Sequence, residues 1–264
     1  MMGELANDVA ALTGRHMRHI VRVPEKLIGV TIAPVVMVLI FGYLFGSAMT
    51  VPGDGNYREY IMGGIFTMVM FSAVGTSAAG VADDLKNGLV DRFRSLPMSR
   101  YAVLLGRTLS DLAMTALSCV VMAVVGLLIG WRAHHGVAKT LAAFGLLLLL
   151  GFTMCWFGAL IGLVVRSPEA VNTIAQLMVM PFALLSNSFV PLDGLPRWMQ
   201  ILGEWNPISA VVSGCRELWG NPTTTVSDAL PAQHPVTTAL LTCGVLLAVV
   251  APLASRAYNR AAAR

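Results

Sequence analysis

Charged side chains are scarce in this chain of 264 residues: 12% are Asp, Glu, Lys or Arg, whereas 56% are hydrophobic. Soluble globular domains carry about 25% charged residues, so the composition excludes an ordinary soluble fold. The mean hydropathy of +0.72 leads to the same conclusion. The sequence therefore predicts an all-α polytopic membrane protein.

Cysteine is also sparse, with four residues that are far apart in the chain. Their spacing fits neither a disulfide framework nor a metal site. The five histidines lie outside the apolar runs, and His134 and His135 adjoin each other on a short polar segment. Adjacent histidines of this kind are more typical of a solvated turn than of a ligand pair. We predict no metal site and no catalytic residue.

The cores of the apolar runs contain no Asp, Glu, Lys, Arg or His; Asp111 comes closest, one helical turn after Arg107, which can neutralise it. Proton-coupled transporters and intramembrane hydrolases need such groups in the membrane, so both classes are disfavoured. The GxxxxGK[ST] loop that cradles nucleotide phosphates is absent. We predict no cofactor in this chain and no nucleic-acid partner, because orientation in a membrane explains the basic residues.

Six apolar runs are long enough to cross a bilayer, for which about 20 helical residues suffice. They cover residues 27–49, 60–82, 112–131, 140–165, 171–190 and 236–254. Residues 4–26 combine an apolar stripe with basic residues, which predicts an interfacial helix; the alternative is a basic leader that only sets the topology. Residues 1–264 are interpreted as a single transmembrane domain.

The six-span arrangement places thirteen Lys and Arg residues on one side of the membrane and five on the other. Because cytoplasmic segments are enriched in Lys and Arg, both termini are predicted to be cytoplasmic. Two GxxxG pairs, Gly126 with Gly130 and Gly158 with Gly162, are interpreted as packing sites within the chain rather than as a dimer seam.

Residues 83–107 form a basic segment between two spans and would face the cytoplasm. Four apolar residues in it recur at spacings of four, four and three, which places them on one face of a helix. These residues are Leu85, Leu89, Phe93 and Leu96. Pro97 would end the helix. The pattern predicts a short amphipathic helix at the cytoplasmic surface, suited to docking on another protein.

Residues 191–235 are too polar to span the membrane but carry helix signals. Asn206 followed by Pro207 is typical of a helix start, and the apolar stripe that follows ends at Gly220. Arg216 lies in this helix. Three tryptophans predict contact with the membrane interface: Trp198, Trp205 and Trp219. We expect two short helices that dip into the outer leaflet or lie on it.

Two stretches resemble a known family. The run NGLVDRFRSLPMSRYAVLLGRTLSD, residues 87–111, resembles the cytoplasmic segment of the ABC-2 type permeases, in particular the daunorubicin-resistance permease subunits of bacterial drug exporters. The run FVPLDGLPRWMQILGEWNPISAVVSGCRELWG, residues 189–220, resembles the external segment of the same family. A Glu-Arg pair that the family often shows before the loop glycine is absent; Asp83, Asp84, Leu85 and Lys86 stand there instead.

The resemblance implies a permease in the bacterial plasma (inner) membrane that forms half of a transporter, surrounded by lipid. Two permease subunits, identical or closely related, would pair. Each would dock a separate ATP-binding subunit, so that two copies carry the ATP and Mg. The docking residues would be Leu85, Leu89, Arg92, Phe93, Arg94 and Leu96.

In such folds the cargo cavity lies between the halves and is lined by the first, second and fifth spans. Here those spans present Phe41, Met68, Phe71, Met178 and Phe182. Methionine and aromatic side chains suit an adaptable apolar pocket, and ordinary core or lipid packing is the alternative. The resemblance implies export of an amphipathic antibiotic or lipid-like compound. The alternatives are a lipid or polysaccharide exporter of the same fold and an ATP-independent channel or membrane enzyme.

Overall fold

The structure is a computed structural model that describes Gly14 and residues 24–45, 56–87, 100–165, 167–189, 191–223 and 229–261. Every regular element in these ranges is helical. The predicted all-α architecture is thereby confirmed for the described part of the chain. The predicted interfacial helix over residues 4–26 lies almost entirely outside it.

The helices follow one another in a simple order. Helix α1 (Pro24–Leu39) continues into a π-helical segment (Ile40–Phe45), and α2 (Tyr57–Lys86), α3 (Arg100–Leu128), α4 (Gly136–Val165) and α5 (Pro168–Leu184) come next. A 3-10 turn (Leu192–Gly194) then precedes the short helices α6 (Arg197–Glu204) and α7 (Pro207–Trp219). The one-turn helix α8 (Leu230–Gln233) leads to α9 (Pro235–Ala261).

Four described helices are long and apolar enough to cross a membrane, namely α2, α3 from Val103, α4 and α9. They correspond to the predicted second, third, fourth and sixth spans. Shorter apolar helices, over Thr31–Tyr43 and Glu169–Leu184, occupy the positions of the predicted first and fifth spans. A total of six membrane crossings therefore stays a prediction.

The helices on either side of the predicted docking segment extend beyond the apolar runs. Helix α2 continues through Asp84 to Lys86, and α3 already begins at Arg100. An apolar run marks only the part of a helix that lies in hydrocarbon, so polar turns can extend it. Leu85 thus belongs to the last turn of α2, and residues 88–99 lie outside the described residues.

Helix α2 is central and packs against α1, α3, α4, α5 and α7. It lies very close to α4, where a Cβ on Gly158 would overlap the carbonyl oxygen of Val74. A Cβ on Gly162 would overlap the carbonyl oxygen of Ala78 in the same way. Small residues four apart allow helix backbones to come this close. The GxxxG pair of α4 therefore packs within the chain, as predicted.

The other glycine pair, Gly126 in α3 and Gly130 just after it, does not pack in this way. A Cβ on Gly126 would lie 2.6 Å from the methyl carbon of Met62, so this glycine makes room for α2. Gly130 follows the end of α3 with a φ of +102°, a conformation that glycine adopts at little cost. The two residues thus serve a contact and a turn, and they do not form a GxxxG packing face.

An aromatic cluster joins α2, α4, α7 and the turn after α3. The ring of Phe66 lies 5.3 Å from that of Trp219 and 5.7 Å from those of Trp131 and Phe144. Trp219 is fully buried, so the predicted contact of its side chain with the membrane interface is wrong. The reason is that the apolar stripe of α7 faces the helix bundle. Trp198 and Trp205 are exposed, as contact with an interface requires.

Candidate functional site

The predicted docking set falls mostly outside the described residues. Leu89, Arg92, Phe93, Arg94 and Leu96 lie there, so their contacts stay predictions. Leu85 is half-buried in the last turn of α2, where it packs against a small apolar cluster. That cluster contains Val81, Leu104, Trp156 and Tyr258.

The predicted cavity residues do not share one set of neighbours in the structure. Phe71 is almost buried, and its ring lies 6.1 Å from that of Phe182, which is 41% exposed. Phe41 instead stacks on Phe189, with a centroid distance of 4.9 Å. Met68 belongs to the main hydrophobic core, and Met178 is half-buried on α5. The structure thus brings Phe71 and Phe182 together at the α2–α5 boundary.

The helix start predicted in the external segment is confirmed. Asn206 caps α7, because its Oδ1 accepts a hydrogen bond of 2.9 Å from the backbone N–H of Ile208, and Pro207 occupies the first turn. Its Nδ2 donates to the carbonyl oxygens of Phe182 and Leu185, at 2.8 and 3.2 Å. Asn206 therefore joins α7 to the end of α5.

Arg216 is fully buried although it lies in a segment predicted to be external. Its Nε donates to the carbonyl oxygen of Tyr60 at 2.9 Å, and its guanidinium carbon lies 3.5 Å from the centroid of the Tyr60 ring. Its Nη2 donates to the carbonyl oxygens of Asn187 and Ser188, at 3.0 and 3.3 Å. A planar guanidinium suits this combination of stacking and forked donation. Arg216 thus fastens α7 to α2 and to the segment after α5.

The segment after α5, residues 186–189, receives further contacts from both neighbours. The Tyr60 hydroxyl donates to the carbonyl oxygen of Asn187 at 3.1 Å. The side-chain amide of Asn187 donates to the Ser213 hydroxyl at 2.7 Å, and its backbone N–H to the Ser209 hydroxyl at 3.2 Å. A Cβ on Gly64 would overlap the backbone of Ser188, so α2 lies directly against the segment. The result is a buried polar cluster at one end of the bundle.

Comparison with known proteins decides the family. The sequence pattern described as ABC-2 type transporter matches residues 7–218, most of the chain. The chain belongs to the ABC-2 type transporter family.

Two relatives of this ABC-2 chain are permease proteins of drug-resistance transporters. It is 31% identical over 236 residues to the daunorubicin resistance ABC transporter permease protein DrrB1 of Streptomyces coeruleorubidus, an alignment that covers 89% of this chain and 80% of that protein. It is 29% identical over 182 residues to the doxorubicin resistance ABC transporter permease protein DrrB of Mycobacterium tuberculosis, covering 69% of this chain and 63% of that protein. The predicted resemblance is confirmed.

Sequence reasoning missed the burial of Arg216 in this ABC-2 chain. A signal was present, since Arg216 lies four residues after Val212 and three before Trp219, on the apolar stripe of α7. A basic residue inside such a stripe has to be paired within the fold or to reach water. Its partners are backbone carbonyls, which the sequence pattern does not reveal.

The two adjacent histidines connect the α3–α4 turn to its neighbours. His134 Nε2 lies 3.0 Å from Glu59 Oε1, and His135 Nδ1 lies 2.9 Å from the carbonyl oxygen of Glu217. Across the described ranges, no group of three His, Cys, Asp or Glu residues could hold a metal ion. The two histidines therefore contact different partners on either side of the turn.

All four cysteines of this ABC-2 chain are buried, including Cys215 of α7, which lies in the segment predicted to be external. We therefore expect a membrane-impermeant maleimide to leave the native chain unlabelled on intact cells. A Trp198→Cys variant should be labelled, because that position is exposed and predicted to be external. A cysteine added after Arg264 should react only after permeabilisation.

Mass spectrometry of the labelled chain is the measurement. Labelling of Cys215 in the native protein would contradict the packing of α7. Labelling of the added C-terminal cysteine on intact cells would contradict the predicted orientation.

Proposed function

We propose that this chain is the transmembrane permease subunit of an ATP-binding cassette exporter that carries amphipathic, drug-like compounds out across the bacterial plasma membrane. The observation that carries the proposal is the alignment with a daunorubicin resistance permease over 89% of the chain. The sequence contains no phosphate-binding loop, so ATP and Mg would bind to separate subunits, two for each pair of permeases. The chain itself would transport and not catalyse.

The exposed helix faces support assembly with a second permease and with lipid. One apolar stripe runs along α1 through Ile28, Ile32 and Val36, each about half exposed. Another on α5 contains Leu177 and Leu184, which are more exposed still. Apolar stripes of this kind in a membrane protein contact lipid tails or another helix. We assign them to the pairing of two identical or closely related permeases and to the lipid around the pair.

The boundary between α2 and α5 supports an amphipathic cargo. Asn172 and Gln176 are exposed and lie four apart on α5, and Ser72 and Thr76 are exposed and four apart on α2. Polar side chains exposed within a membrane helix commonly mark a transport pathway. The apolar Phe182 lies further along the same helix, beside Phe71. A surface with a polar and an apolar part would accept a compound that has both.

The test is purification of the chain from native membranes, followed by transport in inside-out vesicles. We expect an ATP-binding protein to co-purify, and daunorubicin to accumulate in the vesicles only when hydrolysable ATP is present. Vesicles whose ATP-binding subunit lacks its phosphate-binding lysine are the control. Co-purification without daunorubicin transport would favour the lipid or polysaccharide exporter. Uptake without ATP would favour a channel.

A further inference from the structure

A partly buried ion cluster lies where the end of α2 meets the first turns of α3. Arg107 Nη1 pairs with Asp84 Oδ2, and Arg107 Nε lies 3.3 Å from Asp111 Oδ2. The three side chains are only 15 to 27% exposed. Of the two contacts, the one between Arg107 and Asp84 joins the helices. Separating α2 from α3 would leave a partly buried carboxylate without this partner, so the contact resists their separation.

The cluster lies at the two helix ends that flank the predicted docking segment. Asp84 lies two residues before the last residue of α2, and Arg107 lies two turns after the start of α3. Residues 88–99, which carry most of the predicted docking set, connect these two helix ends. The cluster thus joins α2 and α3 close to the two helix ends that this connection links.

Gly80 provides the space that the cluster needs. A Cβ at this position would overlap the Nη2 atom of Arg107, so the guanidinium lies directly against the backbone of α2. No other residue type leaves this space empty. The contact offers a way to displace the guanidinium without changing any charge.

We propose that Arg107, held by Asp84 and Asp111, is a positioning residue that couples ATP hydrolysis on the partner subunit to movement of the spans. The proposal rests on the proposed function, because it takes residues 88–99 to be the docking segment. A push on that segment moves α2 and α3 together when the cluster is intact. When the cluster is broken, the end of α2 and the start of α3 move independently, and the push no longer displaces the spans.

The experiment uses the complete complex in inside-out vesicles and three variants. Gly80→Ala displaces the guanidinium, Asp84→Asn removes one carboxylate, and Arg107→Gln removes the cation. The matched control is Gly145→Ala, since Gly145 is also helical and nothing lies within 4 Å of the Cβ it would gain. Both Gly→Ala changes alter helix propensity by the same amount. The quantities measured are the recovered ATP-binding subunit, the thermal midpoint of the complex, ATP hydrolysis and daunorubicin transport.

We expect the three variants to retain the ATP-binding subunit and ATP hydrolysis, while the daunorubicin moved per ATP hydrolysed falls by about fivefold or more. Gly145→Ala should match the native chain. An unchanged transport ratio in Gly80→Ala and Arg107→Gln would overturn the inference. So would loss of folded complex in all three variants, since the cluster would then be structural only. A native chain that recovers no ATP-binding subunit would instead overturn the proposed function itself.

Discussion

Replacing Arg216 with Met is expected to destabilise the folded chain by about 2 to 5 kcal/mol, the largest effect that we expect for a single substitution. Met has a similar length but no donor, so the hydrogen bonds that Arg216 donates to the carbonyl oxygens of Asn187 and Ser188 would be lost. The stacking on the ring of Tyr60 would be lost as well. The measurements are the thermal midpoint in detergent and the amount of chain in the membrane.

Two further variants separate charge from geometry. Arg216→Lys keeps a cation with three donors but lacks the planar fork, so it should recover part of the loss. Arg197→Met, at an exposed arginine of α6, should change the midpoint little. Equal midpoints for the native chain and Arg216→Met would show that the contacts of Arg216 contribute nothing to stability.

Truncating Phe93 to Ala is expected to release the ATP-binding subunit. Phe93 is the largest apolar side chain on the predicted docking face, and interface anchors of this kind cost about 2 to 4 kcal/mol of association when truncated. This corresponds to an increase of about 30- to 1,000-fold in the dissociation constant. The membrane level of the chain and the recovered partner are measured in the same sample.

The neighbouring arginines provide the control. Arg92→Ala and Arg94→Ala remove charges at the rim, which typically contribute about 0 to 1 kcal/mol, so partner recovery should fall little. If Phe93→Ala lowers the membrane level but not the partner recovered per chain, the face packs on the protein's own spans or on lipid. Normal membrane level, partner recovery and efflux would remove the docking role.

Local chemistry made several features of this chain predictable. The cap at Asn206, the first-turn proline and the end of α7 at Gly220, whose φ is +70°, all depend on residues close together in sequence. The same is true of the contact between Arg107 and Asp111, which are one turn apart on α3 and pair as predicted. Apolar runs located the long helices because burial in hydrocarbon demands such runs.

Contacts between residues that are far apart in the chain could not be predicted from the sequence. The pairing of Arg107 with Asp84, 23 residues earlier, depends on how α2 packs against α3. The burial of Trp219 and Arg216 depends on which face of α7 meets the bundle. A stripe of apolar residues shows that side chains share a face, but it does not show whether lipid, water or protein covers that face. Among the candidate cavity residues, the rings of Phe71 and Phe182 meet across α2 and α5, a contact that depends on helix packing and not on periodicity.

The central position of α2 has a consequence for biosynthesis. Among the four long helices α2 has the lowest mean hydropathy, while 67% of its apolar window is buried, against 17% in α9. A nascent helix leaves the translocon according to its own hydrophobicity, so α2 enters the bilayer with the weakest preference for lipid. Its Ser77 hydroxyl donates to the carbonyl oxygen of Cys155 at 3.0 Å, a residue of α4 that is synthesised later. The Ser77 hydroxyl of the helix at the centre of the finished bundle therefore gains this partner only after α4 has been synthesised.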